Sequence, residues 1–314
     1  MTTPTPNPSS SGEPLRVPRT VTPMSVPALN YDRLRFPLTH DQLASLVRAG
    51  LEEDQAFNDV TTIATVLSSR RARASLVARQ AGCIAGVPLA LEAFRMLDQK
   101  ISMRVDAEDG TRLEKGDTVI YMTGHARALL SAERTALNFM QRLSGIATLT
   151  AKFVDAVKGT KAKILDTRKT TPGWRKLEKY AVRAGGGVNH RLDLARAVLI
   201  KDNHLKAVDG DVTVAVRRVR ELAPPGAKIE VECDSLEQVR AAVEAGADEV
   251  LVDNMPVDAI REAVVLAQGR ASVEASGGVT LDNVGAIAES GVDYISVGAL
   301  THSPPAMNLA LDFD

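Results

Sequence analysis

The chain has 314 residues, 45% hydrophobic and 25% charged, which suffices for one large domain or two moderate ones around real cores. Its formal net charge of −1 excludes a global field that would gather nucleic acid or an anionic membrane. An anionic ligand must therefore meet a local cluster of cations. No apolar run reaches the roughly 20 residues that span a bilayer, and the N-terminus has no apolar signal-peptide core, so a cytoplasmic protein without membrane partners is expected.

Residues 1–28 are rich in Pro, Ser and Thr and read as a disordered tail. Residues 29–143 read as a small α+β domain with an open-faced sheet. A helix over Asp41–Leu51, N-capped by Thr39, opens it. Strands are expected at Arg73–Arg79, Ile101–Asp106 and Thr118–Thr123, with a helix at Leu89–Leu97 and glycines between them. A helical stretch from Ser131 to Lys158 follows, with an interruption expected at Ser144-Gly145. Leu130, Arg134, Leu137, Met140, Gln141 and Ser144 share one of its faces, so Arg134 projects beside an apolar stripe.

Residues 144–304 alternate between apolar runs and amphipathic helices. The runs are Ile164-Leu165, Ala197–Ile200, Ile229–Val231, Val250–Val252, Ala271–Val273 and Tyr294–Val297. This alternation implies parallel strands joined by right-handed crossovers, in an incomplete α/β barrel of six or seven strands. Ser303-Pro304-Pro305 ends the last helix, and residues 305–314 are expected to return to the first domain as a strand. Cys83 and Cys233 are far apart and in no metal-ligand spacing, and are expected as buried thiols of a reducing compartment.

Each apolar run ends in chemically useful residues, and a barrel gathers all its strand ends at one mouth. Arg168, Lys169, His190, Arg191 and Lys201 follow the first two runs. Five potential cations at one mouth repel one another unless a polyanion joins them. A solvated basic surface is the bland alternative for each one singly. Gly185–Gly187 precede His190 and permit close backbone approach or a flexible loop. Ser276-Gly277-Gly278 and Gly298 stand at the late strand ends, where barrels bind phosphate through backbone amides, with Thr280 able to cap a helix near Leu281. Ordinary βα turns would use the same glycines. Glu230 and Glu232 share one face of their strand, with Asp253 and Glu274 nearby. Such carboxylates suit Mg²⁺ bound through water, ribose hydroxyls, or an ion pair with the basic set.

Taken in order, Glu133–Asn138, Asp166–Gly173, Gly185–Gly187 with Asn189-His190-Arg191, Lys201–His204, Glu230–Glu232, Val252–Asn254 and Glu274–Gly278 resemble the quinolinate phosphoribosyltransferase family. The resemblance runs from about Pro37 to the C-terminus. It implies a small α/β sandwich followed by an incomplete barrel. It also implies a homodimer in which Arg134 enters the partner's site, with any higher assembly left open. The implied substrates are quinolinate and 5-phosphoribosyl 1-diphosphate (PRPP) with Mg²⁺. The products would be nicotinate mononucleotide, diphosphate and CO₂. By the same resemblance, Arg134, Arg168, Lys169, His190, Arg191 and Lys201 surround the carboxylates and diphosphate. Glu232 and Asp253 lie by the ribose and metal, and Ser276, Gly277, Gly278 and Gly298 hold the 5′-phosphate. Lys169, Lys201, Glu232 and Asp253 would then stand at the reaction centre. Asn58 departs from the pattern, standing where a glycine is expected. Three rivals remain open: a Schiff-base enzyme using Lys201, a related transferase acting on nicotinate, and a non-catalytic sensor of phosphorylated metabolites.

Overall fold

The computed structural model describes residues 34–314 except Arg196 and Pro225. The expected disordered tail, 1–28, lies outside the described residues. No helix among the described residues is long and apolar enough to cross a membrane.

The first half contains α1 (His40–Glu53), α2 (Val60–Thr65), β1 (Arg71–Ala78), β2 (Gly82–Cys83), α3 (Val87–Leu97), β3 (Ser102–Val105), β4 (Arg112–Leu113), β5 (Thr118–His125) and the long helix α4 (Ala126–Ala156). Thr39 begins α1 with a reciprocal capping box: its hydroxyl accepts from the Gln42 amide while the Gln42 side chain accepts from the Thr39 amide. Asp59 caps α2 by accepting from the Thr62 amide at 3.0 Å, and it accepts from the Ser131 hydroxyl at 2.9 Å. Asn58 needs no glycine-like backbone, because the positive φ of this turn falls on Gln55 at 52°.

The interruption expected at Ser144-Gly145 is absent, and α4 runs unbroken for 31 residues. Its small residues serve close approach instead. A Cβ on Gly145 would lie 2.2 Å from the Pro305 carbonyl oxygen. Ser144 Oγ accepts from the Ala85 amide at 3.0 Å and donates to the Ala85 carbonyl at 3.1 Å. A buried serine that bonds a neighbouring segment does not break a helix whose own ladder is intact.

The second half contains β6 (Lys163–Leu165), α5 (Arg175–Ala184), β7 (Val198–Ile200), α6 (Asp202–Lys206), α7 (Val212–Leu222), β8 (Ile229–Cys233), α8 (Leu236–Glu244), β9 (Glu249–Asp253), α9 (Val257–Ala267), β10 (Ser272–Ser276), α10 (Val284–Glu289), β11 (Tyr294–Ser296), α11 (Ala299–His302) and β12 (Leu309–Phe313). The sheet order β6-β11-β10-β9-β8-β7 is wholly parallel. The strands β6 and β7, consecutive in the chain, stand at opposite edges, so the barrel is open between them. Val188 bridges to Leu165 in parallel and supplies a partial seventh strand there. The incomplete barrel expected from the sequence is therefore present. β12 leaves the barrel and pairs antiparallel with β1 in the sheet β12-β1-β5-β3.

The strand register decides which side chains meet. Val231, Val250, Val252, Val273, Ala275 and Ile295 point one way and are buried in the main core. The alternate residues, Lys201, Glu230, Glu232, Glu249, Asp253, Glu274 and Ser276 among them, face the other way, into the barrel. Thr280 does not cap a helix at Leu281. That helix, α10, starts at Val284 after Asn283, whose side chain turns back to accept from the Thr280 amide at 2.8 Å.

Candidate active site

The barrel mouth carries a basic upper layer over an acidic floor. On the floor, Glu230 and Glu249 are register partners on β8 and β9, and Glu274 stands on β10. Burial and then the Glu230 charge push the Glu249 carboxyl up to about 7. The same two causes raise Glu274 well above the carboxylate range. Glu230 Oε1 and both Glu274 oxygens are buried and lack a partner at hydrogen-bond geometry among the described residues.

His190 stands between floor and mouth. Its Nδ1 accepts from the Arg191 amide at 2.8 Å, so the ring proton sits on Nε2 and is shared with Glu230 Oε2 at 3.0 Å. Glu274 Oε2 lies 3.6 Å from the same nitrogen. The imidazole, Glu230 and Glu274 bring ligand atoms within 4.8 Å of one another, as a metal centre would. A nitrogen that bears a proton has no lone pair for a metal, so this group is a hydrogen-bonded strut. His190 therefore serves here as a hydrogen-bond donor to Glu230, one of the two roles, donor or cation, that its sequence position allows.

Arg191 and Arg168 form the upper layer. Burial first, and the Arg168 charge second, hold Arg191 below the ordinary guanidinium range. Arg191 Nη1 donates to the Ala197 carbonyl at 3.1 Å. Arg168 Nε is buried and has no hydrogen-bond partner among the described residues. Two guanidiniums are therefore held within each other's field, with a donor left open. Lys201, at the end of β7, pairs with Glu232 across to β8. Lys169 is exposed, and its stem runs by the Gly298 turn: a Cβ on Gly298 would lie 3.1 Å from Lys169 Cδ.

The glycines divide by role. Gly277 has φ +86°, and a Cβ there would lie 2.3 Å from Asn254 Oδ1. Asn254 itself has φ 55°, and its Nδ2 donates to Asp253 Oδ2 at 2.9 Å. The turns after β9 and β10 are thus interlocked, and only a bare backbone fits at Gly277. Gly278 also has positive φ and no close neighbour. Gly185 and Gly187 serve packing: added Cβ atoms would lie 2.3 Å from the Ala147 carbonyl oxygen and 2.7 Å from Val182 Cγ1.

The structure thus places Arg168, Lys169, Arg191, Lys201, Glu232, Asp253, Ser276, Gly277, Gly278 and Gly298 at strand ends on one side of the barrel. Arg134 is not among them. It is exposed on α4, with no hydrogen bond or ion pair among the described residues. Both cysteines are buried, which pushes Cys83 up to about 11 and Cys233 up to about 12, so neither is a reactive thiolate at neutral pH.

The sequence reading overlooked the side chains that hold this layer. Arg175, Glu178 and Lys179 lie on one side of α5. Lys179 and Asp166 form a fully buried ion pair, and Asp166 also accepts from the Asn189 side chain at 2.6 Å and the His190 amide at 2.9 Å. Burial raises the Asp166 carboxyl, against the pull of Lys179. The available signal was compositional: a helix as charged as Arg-Lys-Leu-Glu-Lys-Tyr, set inside a barrel crossover, must bury some of its charges.

Residues 146–312 match the family model described as quinolinate phosphoribosyl transferase, C-terminal domain, and residues 59–144 match the N-terminal domain of the same family. The chain belongs to the quinolinate phosphoribosyltransferase family. It is 48% identical over 280 residues to the nicotinate-nucleotide pyrophosphorylase [carboxylating] of Mycobacterium leprae, covering 87% of this chain and 97% of that one. The probable enzyme of that name from Bacillus subtilis is 42% identical over 275 residues, covering 88% and 94%. Among solved structures, the nicotinate-nucleotide pyrophosphorylase from Francisella tularensis superposes with TM-score 0.83 at 37% identity, covering 89% of this chain and 99% of that one. NadC from Streptococcus pyogenes gives TM-score 0.83 at 39% identity, covering 88% and 99%.

Proposed function

We propose that this member of the family joins quinolinate to PRPP and releases diphosphate and CO₂, giving nicotinate mononucleotide for NAD synthesis. The observation that carries the reading is the Arg168–Arg191 pair, two mutually repelling guanidiniums with a buried donor left open. A dianion with adjacent carboxylates relieves both the repulsion and the open donor. A Schiff-base lysine would not require this pair, and Lys201 already engages Glu232.

In the proposed reaction the pyridine nitrogen attacks the anomeric carbon while the C–O bond to diphosphate breaks. Lys169, beside the Gly298 turn, and Lys201 are the cations available to the departing negative charge. Glu232 and Asp253, at the ends of neighbouring strands, stabilise the positive charge that develops on the sugar. The C2 carboxylate then departs as CO₂, the electron pair it leaves on C2 is stabilised by the adjacent positive nitrogen, and that pair takes a proton from water. The clamp orients the acid for both steps, and no covalent nucleophile is needed. Gly277, Gly278 and Gly298 leave backbone amides open to the 5′-phosphate.

Mg²⁺ fits this donor set as a companion of PRPP. Two carboxylates, one of them shared with a lysine, suit an ion that keeps most of its waters and phosphate ligands. When bound it neutralises diphosphate charge. Arg134, exposed and unpaired, is the residue proposed to reach the site of a second subunit in a homodimer. The bacterial relatives support a cytoplasmic protein, and no helix among the described residues is long and apolar enough to cross a membrane.

The test is an assay of purified protein with PRPP, Mg²⁺ and either quinolinate or nicotinate, following mononucleotide and CO₂. Product from quinolinate alone is expected. Product from nicotinate alone would keep the fold and donor and overturn the decarboxylation. Folded protein with no product from either acid would overturn the enzyme reading.

A further inference from the structure

One side of α5 does more than pack. Arg175 spreads a single guanidinium over two loops. Its Nε donates to Thr170 Oγ1 at 3.0 Å, its Nη2 to the Arg168 carbonyl at 3.4 Å, and its Nη1 to the Leu192 carbonyl at 3.2 Å. The first two acceptors belong to the loop that carries Arg168. The third follows directly on Arg191.

Glu178, one turn later, is fully buried. Its Oε2 accepts from the Thr171 amide at 3.1 Å, and its Oε1 accepts from the Thr171 hydroxyl at 2.9 Å and from Arg142 Nη2 at 2.7 Å. The same Arg142 nitrogen donates to the Thr301 carbonyl at 2.6 Å, and the Thr301 hydroxyl donates to the Lys169 carbonyl at 2.8 Å. A closed circuit therefore ties the Arg168–Thr171 loop to α4 and to the helix that follows Gly298.

We propose that Arg175 and Glu178 are positioning residues for the dicarboxylate clamp. Arg175 sets the separation between the Arg168 and Arg191 loops, and Glu178 fixes the first of these loops against the rest of the barrel mouth. The inference rests on the reading of the clamp given above. Its physical basis is that two like charges on adjacent loops keep a fixed separation only where the backbone beneath them is braced, as Arg175 braces it here. Backbone carbonyls and a threonine, held from a buried helix, supply that brace. Neither Arg175 nor Glu178 is needed to contact a substrate. The Gly298 turn is held by its own backbone bonds, from the Thr301 and His302 amides to the Gly298 carbonyl, so the 5′-phosphate subsite is expected to survive loss of the circuit, while loosening of Lys169 in the same loop is expected to lower kcat rather than raise the KM for PRPP.

The experiment compares full-length wild type with Arg175→Lys, Glu178→Gln and Thr301→Val. Quinolinate binding is measured by calorimetry, the KM for PRPP by steady-state assay, and folding by thermal melting. Arg175→Lys keeps the charge and loses the fork. Thr301→Val keeps the shape and loses one link, so these two carry the test where Glu178→Gln fails to fold. Each folded variant is expected to bind quinolinate at least tenfold more weakly, with the KM for PRPP within threefold of wild type. Glu178→Gln combined with Thr301→Val is expected to bind quinolinate no more weakly than Glu178→Gln alone, because both break one circuit. Wild-type quinolinate affinity in a folded Arg175→Lys protein would overturn the proposal. So would equal losses for both substrates that track the loss of folded protein, the mark of a merely structural role. Wild type that turns over nicotinate and ignores quinolinate would instead overturn the functional reading, and the clamp with it.

Discussion

Gly277→Ala tests the interlock between the turns after β9 and β10. Two costs add at this position. A non-glycine residue at φ +86° pays the left-handed penalty of roughly 1–2 kcal/mol. The new methyl also falls 2.3 Å from Asn254 Oδ1, and overpacking of this kind costs about 1–3 kcal/mol. The sum, about 2–5 kcal/mol, is large against the stability of a typical domain. The two parts separate in a cycle with Asn254→Gly, which removes the obstructing amide and leaves a residue at ease with φ 55°. The double variant is expected to recover the steric part, roughly 1–3 kcal/mol, and to retain the dihedral part. Urea denaturation of all four proteins gives the coupling, and the KM for PRPP should rise with Gly277→Ala because the phosphate turn is displaced. Stability of Gly277→Ala within about 0.5 kcal/mol of wild type would refute the reasoning. A cycle with no coupling would also refute it, since the clash with Asn254 would then be fictitious.

Arg168→Ala is expected to lower kcat/KM at least ~100-fold, about 2.7 kcal/mol of transition-state stabilisation, with an unchanged melting temperature; near-normal turnover would count against the clamp. Arg134→Ala should lose activity likewise, and mixing it with Arg168→Ala should restore part of it through hybrid dimers. No restoration despite proven subunit exchange would sink the cross-subunit role. Glu249, raised from 4.5 to about 7, favours the protonated fold, so its contribution is complete below about pH 4.5 and is lost as pH rises through about 7. Glu249→Gln should therefore be the more stable protein at pH 8 and should flatten the fall between those limits in urea titrations. Gly145→Ala places a methyl 2.2 Å from the Pro305 carbonyl and should destabilise by about 1–3 kcal/mol while leaving KM values alone.

Much of this architecture was legible because periodicity reports burial. Runs such as Val250–Val252 must be buried, and their alternation with amphipathic helices leaves few folds open. The N-cap at Thr39 and the return of β12 were readable because each depends on residues a few positions apart or on one apolar segment; the reciprocal bond from Gln42 was not foreseen. The break expected at Ser144-Gly145 was not there. Small residues have two explanations, weak helix propensity and close approach, and only the position of Pro305, 160 residues later, selects between them. Gly185–Gly187 carried the same ambiguity, and two of the three glycines proved to pack on α4 and α5. The α5 ridge escaped notice because the partners of Arg175 are mostly backbone carbonyls, which have no sequence signature.

His190 shows how a hydrogen bond overrides a residue inventory. Counted by type it joins Arg168, Lys169, Arg191 and Lys201 as a fifth potential cation. Its Nδ1, however, faces an amide proton from its own neighbour at 2.8 Å, and a second proton there would set two donors against each other. The ring must then spend its one proton on Nε2, toward Glu230. That choice fixes the ring between the floor and the Arg191 backbone, and it makes the position of Arg191 depend on a buried carboxylate. A His190→Asn variant, whose amide can donate but is shorter, should leave the Arg168–Arg191 repulsion in place and loosen the Arg191 loop. Quinolinate binding should weaken while the KM for PRPP stays near that of wild type. Wild-type quinolinate affinity in a folded His190→Asn protein would refute the strut assignment.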